Sequence, residues 1–239
     1  MTDFVFKRVE LKYRLTREQY HTVRALIERR LSPDAFGETT VQSLYYDTPD
    51  YRLARASIER PTYKEKLRAR CYGLNDGDKD VFLEMKRKYD GVVYKRRIAC
   101  KQRDCTGAAD ALSGQTQIDR ELRYFWDYYG SLAPRILILY DRAAFFDPQG
   151  DLRVTFDRNV RYRTEQLDFH TSLEGIPLLA DGEVLMELKS GTAFPLWLCG
   201  ALSANGITKS SFSKYGEAYK RELGLKNIQF QLPEGKAYV

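Results

Sequence analysis

With 239 residues, 43% of them hydrophobic, the chain can bury the core of one large domain or two small ones. Its 39 Lys and Arg against 33 Asp and Glu give a formal net charge of +6, which permits an anionic partner without demanding one, so the placement of charge matters more than the total. No apolar run approaches the length of a membrane span, and the opening Met1-Thr-Asp-Phe-Val-Phe-Lys-Arg8 is too short in apolar residues for a signal peptide, so no membrane segment is expected. Cys71, Cys100, Cys105 and Cys199 form no C-x-x-C pair and only two histidines exist, which argues against structural zinc and predicts free thiols in a cytoplasmic protein. No repeat, low-complexity stretch or Pro/Gly-rich linker breaks the chain, so one domain over 1–239 is expected.

Arg8 to Leu15 alternates, with Glu10, Lys12 and Arg14 on one face and Val9, Leu11, Tyr13 and Leu15 on the other. A helix follows over Arg17 to Leu31, with Thr16 as N-cap, Gln19 as its capping-box partner and Tyr20, Val23, Leu26 and Ile27 as the apolar stripe. Val41 to Asp47 reads as a more apolar strand. The segment Tyr45-Tyr-Asp-Thr-Pro-Asp-Tyr51 reads as its end, a turn with Pro49 near a helix start and tyrosines that pack. In Thr62 to Tyr72, Lys64, Lys66, Arg68 and Arg70 crowd one face while Leu67, Ala69 and Cys71 hold the other. Like charges side by side on a strand repel, so an anion is expected to offset them.

The pattern recurs. In Val81 to Tyr89, Glu84, Lys86 and Lys88 oppose Leu83 and Met85; Gly91 marks a turn; in Val92 to Cys100, Lys95 and Arg97 oppose Tyr94 and Ile98. A helix over Gln117 to Tyr129 carries Ile118, Leu122, Phe125, Trp126 and Tyr129 on one face, with Gly130 as its stop and Phe125 and Trp126 read as core. Arg135 to Phe146 carries Tyr140 and Arg142 on one face. In Asp151 to Arg158, Arg153, Thr155 and Asp157 oppose Leu152, Val154 and Phe156, and in Val184 to Ser190, Glu187 and Lys189 oppose Val184, Met186 and Leu188. Short helices are expected over Pro195 to Ala204 and Tyr215 to Leu223.

About eight strands with one apolar and one charged face fit two architectures. One is a sheet or sandwich with its charged face in water; the other is a closed antiparallel barrel with charges inside and helices packed on the apolar outside. The charged faces are dominated by Arg and Lys, which grip phosphate oxygens well, and that bias favours the barrel. No G-x-x-x-x-G-K-[ST] loop is present. The carboxylates on the cationic faces argue against a nucleic-acid partner.

The segments Glu10-Leu-Lys-Tyr13, Ser43-Leu-Tyr-Tyr-Asp-Thr-Pro-Asp-Tyr51, Tyr63-Lys-Glu-Lys-Leu-Arg-Ala-Arg70, Val81-Phe-Leu-Glu-Met-Lys86, Tyr94-Lys-Arg-Arg97, Tyr140-Asp-Arg142, Arg153-Val-Thr-Phe-Asp157, Leu185-Met-Glu-Leu-Lys189 and Phe212-Ser-Lys-Tyr215 occur in that order. Together they resemble the VTC domain, the polyphosphate polymerase module of the vacuolar transporter chaperone complex and its bacterial relatives, which belongs to the triphosphate tunnel, or CYTH-like, metalloenzymes. The resemblance spans Phe6 to about Leu223. It implies an α+β fold, a tunnel barrel with helices outside, and transfer of the γ-phosphoryl of ATP to a growing polyphosphate chain with Mn2+ or Mg2+. A triphosphatase of the same fold and a non-catalytic polyphosphate-binding module are the alternatives.

Carried over, the resemblance implies that Arg68, Arg70, Lys86, Arg142 and Arg153 act on the transferring phosphate. Lys12, Lys95, Tyr140, Ser213 and Lys214 would bind substrate, joined by Lys66, Arg97 and Lys189 on the same charged faces. Glu187 resembles the metal ligand, with Glu10 and Glu84 as further carboxylates. Ser211 stands where the family often has a lysine, and Lys209 slightly upstream is the candidate to replace it. The first strand reads Arg8-Val-Glu10-Leu-Lys12 where tunnel triphosphatases have Glu-x-Glu-x-Lys, which resembles the VTC branch more than the hydrolytic one.

Overall fold

Strands with one apolar and one charged face assemble into a single antiparallel sheet whose charged faces all turn to the same, concave side. The computed structural model describes residues 9–59, 61–75, 77, 79–90, 92–101, 112 and 114–224. Arg8, Cys105 and the turn expected at Gly91 lie outside them. In chain order the elements are β1 (Val9–Leu15), α1 (Arg17–Glu28), β2 (Ser32–Pro33), β3 (Thr39–Asp47), α2 (Arg52–Glu59), β4 (Tyr63–Tyr72), β5 (Asp80–Tyr89) and β6 (Val92–Lys101). There follow α3 (Gln117–Tyr129), β7 (Ala133–Phe146), β8 (Arg153–Arg163), β9 (Ile176–Pro177), β10 (Val184–Ser190), α4 (Leu196–Ala204), β11 (Lys209–Ser210) and α5 (Lys214–Glu222). Setting aside the two-residue strands β2, β9 and β11, the long strands are the eight read from alternation.

The sheet runs β11-β1-β10-β8-β7-β3-β4-β5-β6. Two apolar layers cover its convex side. Leu67, Ala69, Leu83 and Met85 from the β4–β5 part pack with Leu122 and Phe125 of α3. Tyr13, Val154, Phe156 and Met186 from the other part pack with Val23 and Ile27 of α1 and Leu198 of α4. Each such buried aliphatic side chain contributes about 1.5–3 kcal/mol, so the apolar faces stabilise the sheet while the charged faces are held in place by it. Trp126 meets Tyr46 edge-on at 5.3 Å, in the core as expected.

A third cluster fills one end of the concave side. Ile136, Ile138 and Tyr140 of β7, Tyr45 of β3 and Val160 of β8 pack there with Tyr215, Ala218 and Tyr219 of α5 and Ala54 of α2. Asp47, fully buried, organises this plug. It accepts from the backbone amides of Leu53 and Ala54 at 2.9 Å, so it caps α2, and from the Tyr215 hydroxyl at 2.7 Å. The Tyr45–Tyr51 segment is therefore structural, as read.

The helices begin as their caps predict. Thr16 and Gln19 form the capping box of α1, and Thr116 with Asp119 does the same for α3, which ends at Gly130 with φ 70°. The helix expected to reach Leu31 stops at Glu28, because the chain must turn to bury Leu31 in the α1 core. Cys71 and Cys199 are in no disulfide, but Cys100 is disulfide-bonded, so the expectation of free thiols fails there. No described helix is long and apolar enough to cross a membrane.

The expected closure takes a different form. Among the described residues, β6 and β11 end the sheet without pairing to each other. Side chains bridge the concave side instead: Lys86 of β5 lies 3.9 Å from Glu10 of β1, and Lys66 of β4 donates to Ser213 Oγ, just before α5, at 3.1 Å.

Candidate functional site

Antiparallel register aligns the cationic residues of β4, β5 and β6 into rungs across one wall of the concave face. Directly paired residues point to the same side. Lys66 pairs with Lys86 and Lys86 with Lys95, so three lysines stand in one row. The adjacent rung reads Tyr45, Arg68, Glu84, Arg97. Arg70 follows beside Ser43, with its Nε 3.4 Å from that hydroxyl.

Glu84, 2% exposed, is the counter-ion of this wall. Arg68 Nε donates to Oε2 at 2.8 Å; Arg70 lies at 3.7 Å, Lys95 at 3.1 Å and Arg97 at 3.7 Å. Burial alone would raise its pKa, but Arg68, Arg70 and Lys95 outweigh that and hold it at about 2. Tyr45 supports the same arginine, its hydroxyl 3.0 Å from Arg68 Nη1 and its ring stacked on Tyr215 at 4.3 Å. The lysine row is compensated far less. Lys66 hydrogen-bonds only the neutral Ser213 hydroxyl among the described residues, and burial, followed by the charges of Lys12 and Lys86, pushes it down to about 7.

The facing wall alternates cation and carboxylate. Lys12 of β1 lies 3.5 Å from Glu10 and 3.8 Å from Glu187 of β10, and Lys189 pairs with the other Glu187 oxygen. Burial opposes ionisation of Glu187, yet Lys189 and Lys12 hold it at about 2. Deeper, Asp157 of β8 receives Arg142 at 2.6 and 2.8 Å and Lys214 of α5 at 2.5 Å; it is 2% exposed and its pKa is depressed, burial being outweighed by Arg142 and Lys214. The buried Tyr140 ring lies under both cations, 5.0 Å from Arg142 and 4.5 Å from Lys214, and its hydroxyl is 3.5 Å from Arg70. Ser213 Oγ caps α5 at Gly216 N, so it holds Lys66 against a helix N-terminus that itself favours anions.

The fold thus brings Lys12, Lys66, Arg68, Arg70, Lys86, Lys95, Arg97, Tyr140, Arg142, Lys189, Ser213 and Lys214 to one concave surface. Arg153 stands apart at the rim, half exposed and 3.3 Å from Asp34. Lys209 departs from expectation. It pairs with Tyr13, whose ring lies in the convex core, while Ser210 pairs with Lys12. The period of two therefore aims Lys209 away from the concave face, and it does not replace the lysine missing at Ser211. Glu84, a candidate either to help hold the metal or to pair with a neighbouring lysine, is seen here pairing with Lys95 and with Arg68, Arg70 and Arg97. Asp157 and Tyr45 were missed. Alternation already put Asp157 on the face of Arg153, but its partners Arg142 and Lys214, like the register of Tyr45 opposite Arg68, become legible only with the fold known.

The carboxylates fit a divalent cation at the other wall. Glu10 and Glu187 share Lys12, and Thr155, on the rung of Glu187, has a buried hydroxyl with no hydrogen-bond partner among the described residues. No group of three or more metal-ligating side chains occurs among the described residues. That donor set suits Mg2+ or Mn2+, hard ions that one or two carboxylates hold while phosphate and water supply the rest.

No curated protein sequence matches the chain significantly. Among solved structures it is similar to a proposed adenylyl cyclase from Hippeastrum described as having a dominant triphosphatase activity. That match has TM-score 0.52 and 16% identity over 90% of this chain and 95% of that one. It is also similar to a proposed adenylate cyclase from Bacillus halodurans, with TM-score 0.53 and 13% identity over 86% and 93% of the two chains. Both likenesses are of fold and span nearly the whole of each chain. The VTC domain family matches residues 7–222, almost the entire described sheet and its helices. The chain belongs to the VTC domain family.

Proposed function

We propose that the protein is an ATP-dependent polyphosphate polymerase that moves the γ-phosphoryl of ATP onto a polyphosphate chain lying in the concave face. The observation that carries this reading is the Lys66–Lys86–Lys95 row on adjacent strands, in which Lys95 shares Glu84 with three arginines, Lys86 reaches Glu10 only at 3.9 Å and Lys66 meets no carboxylate among the described residues. Such an arrangement is stabilised by a polyanion. ATP, and polyphosphate as acceptor, are the partners that match it, and a cytoplasmic setting supplies the former.

Phosphoryl transfer asks a protein chiefly for alignment and charge neutralisation. The lysine row and Lys12 would hold the chain of phosphates. Arg68, Arg70 and Arg142, fixed by Glu84 and Asp157, would face the group in transfer with no reorganisation left to perform. Glu187 and Glu10, with Thr155 beside them, would hold Mn2+ or Mg2+; the ion would neutralise phosphate oxygens. An ionised terminal phosphate is its own nucleophile, so the acceptor needs no general base.

Incubation with ATP and Mn2+, followed by phosphorus NMR, tests the reading. Internal phosphoanhydride signals growing with ADP are expected, and in Glu187→Gln they fall at least about a hundredfold with the fold intact. Orthophosphate alone, the product of an activity like that described for the Hippeastrum protein, would replace the polymerase by a triphosphatase. Untouched ATP with tripolyphosphate still bound would leave a binding module.

A further inference from the structure

A cavity of about 380 Å³ lies outside the lysine row, between α2, α3 and the beginning of β4. Its position follows from the register. Pairing of β3 with β4 stops at Tyr46 opposite Leu67, so Tyr63 to Lys66 pair with β5 alone, and α2 lies against β4 where β3 has left the sheet. The wall therefore has a window. The cavity is lined from both faces of the same strand, by Tyr63 and Glu65 of the convex parity and by Lys64, which shares the parity of Lys66 and Arg68.

The lining is aromatic and held rigid. Glu65, 6% exposed, accepts from the hydroxyls of Tyr63 at 2.6 Å and Tyr129 at 2.7 Å and from Arg87 Nε at 3.1 Å. One buried carboxylate thus fixes two tyrosines on opposite sides. The Arg52 guanidinium lies 5.5 and 5.2 Å from the Tyr128 and Tyr129 ring centres. Tyr124 and Tyr128 stack at 6.2 Å on the open side of α3 and are 66% and 55% exposed. Exposed, stacked rings beside a cation and a cavity of small-molecule size have the makings of a stacking platform.

We propose that this cavity is the nucleobase pocket. A purine nucleotide would stack its base on Tyr128 and Tyr63, and its phosphates would pass through the window at Lys64 onto Lys66, the next residue of that parity. The proposal rests on the tunnel reading above but is separable from it, because inorganic tripolyphosphate needs the tunnel and not the pocket.

Calorimetric titration of ATP and of tripolyphosphate into the wild-type protein, Tyr128→Ala and Tyr124→Ala tests it; both rings are exposed, and thermal melts check that the variants fold. Base stacking of this kind predicts about tenfold weaker ATP binding in Tyr128→Ala, less in Tyr124→Ala, and tripolyphosphate affinity within about twofold of wild type. ATP and tripolyphosphate changing in parallel, or neither changing, would overturn the nucleobase pocket and leave the tunnel reading standing. Wild-type protein that binds no tripolyphosphate would overturn both.

Discussion

The two walls of the concave face carry similar numbers of cations and handle them differently. On the concave side of β4, β5 and β6, Glu84 serves Arg68, Arg70, Lys95 and Arg97, which leaves Lys66 without a carboxylate among the described residues and Lys86 only the distant Glu10. On β1, β10 and β8 carboxylates nearly match the cations they meet: Lys12 and Lys189 share Glu187, with Glu10 also beside Lys12, and Arg142 of β7 and Lys214 of α5 share Asp157. A wall short of negative charge is built to receive it from a ligand. A wall already balanced can exchange a lysine for a metal ion without changing the net charge much. On the function proposed above, the first wall would hold most of the phosphate chain and the second the cation.

Removing the shared carboxylate of the first wall breaks this comparison most severely. Glu84→Gln leaves four cations without a counter-ion, and loss of one partner of a buried pair costs about 3–5 kcal/mol. The pH dependence has a definite sign. Glu84 titrates at about 2 in the folded protein and near 4.5 when unfolded, so its contribution is complete above pH 4.5 and fades as pH falls toward 2. Urea denaturation is expected to show a large deficit for the variant at pH 7 and a shrinking one at pH 3, with tripolyphosphate restoring part of it at pH 7. Equal midpoints at pH 7 would mean that Glu84 is not the organiser of this wall.

How much of this was legible beforehand depends on the range of each interaction. A period of two is local, so the inward set on β4 and β5 could be read directly, and the capping box at Thr16 and the glycine stop at Gly130 placed two helices to within a few residues. Register and parity across the fold are not local. Asp157 meets Lys214 across 57 positions in the chain, and on its own strand it looks like any surface carboxylate. Lys209 looked interchangeable with a lysine two positions on, yet its pairing with Tyr13 rather than Lys12 decides which side it faces. The window in the wall exists because β3 stops short of the beginning of β4, a difference in strand offset that alternation within either strand does not contain.

A subtler test uses protons. Lys66, at about 7 in the unliganded protein against 10.5 when unfolded, is charged below pH 7 and neutral above it. The unfolded chain binds more protons between those values, so the lysine lowers stability most below pH 7, and stability recovers as pH rises toward 10.5. A bound polyphosphate favours the charged form and draws the proton back. Tripolyphosphate binding at pH 8 should therefore take up close to one more proton in the wild type than in Lys66→Met, measured by calorimetry in buffers of different ionisation enthalpy. Identical uptake in both would place the phosphate away from the lysine row.

The smallest effect sharpens the contrast of facing. Lys209→Ala removes a lysine from the strand beside Lys12, but on the convex side of the sheet. A surface charge this far from the concave face acts through screened water, so tripolyphosphate affinity at 0.15 M salt should stay within about twofold of wild type. The same substitution at Lys12, one rung away and pointing inward, should weaken it about tenfold or more through loss of a charge-assisted contact. A tenfold loss at Lys209 would mean that β11 meets β1 with the opposite parity, and Ser210 would then give up its place on the inner face.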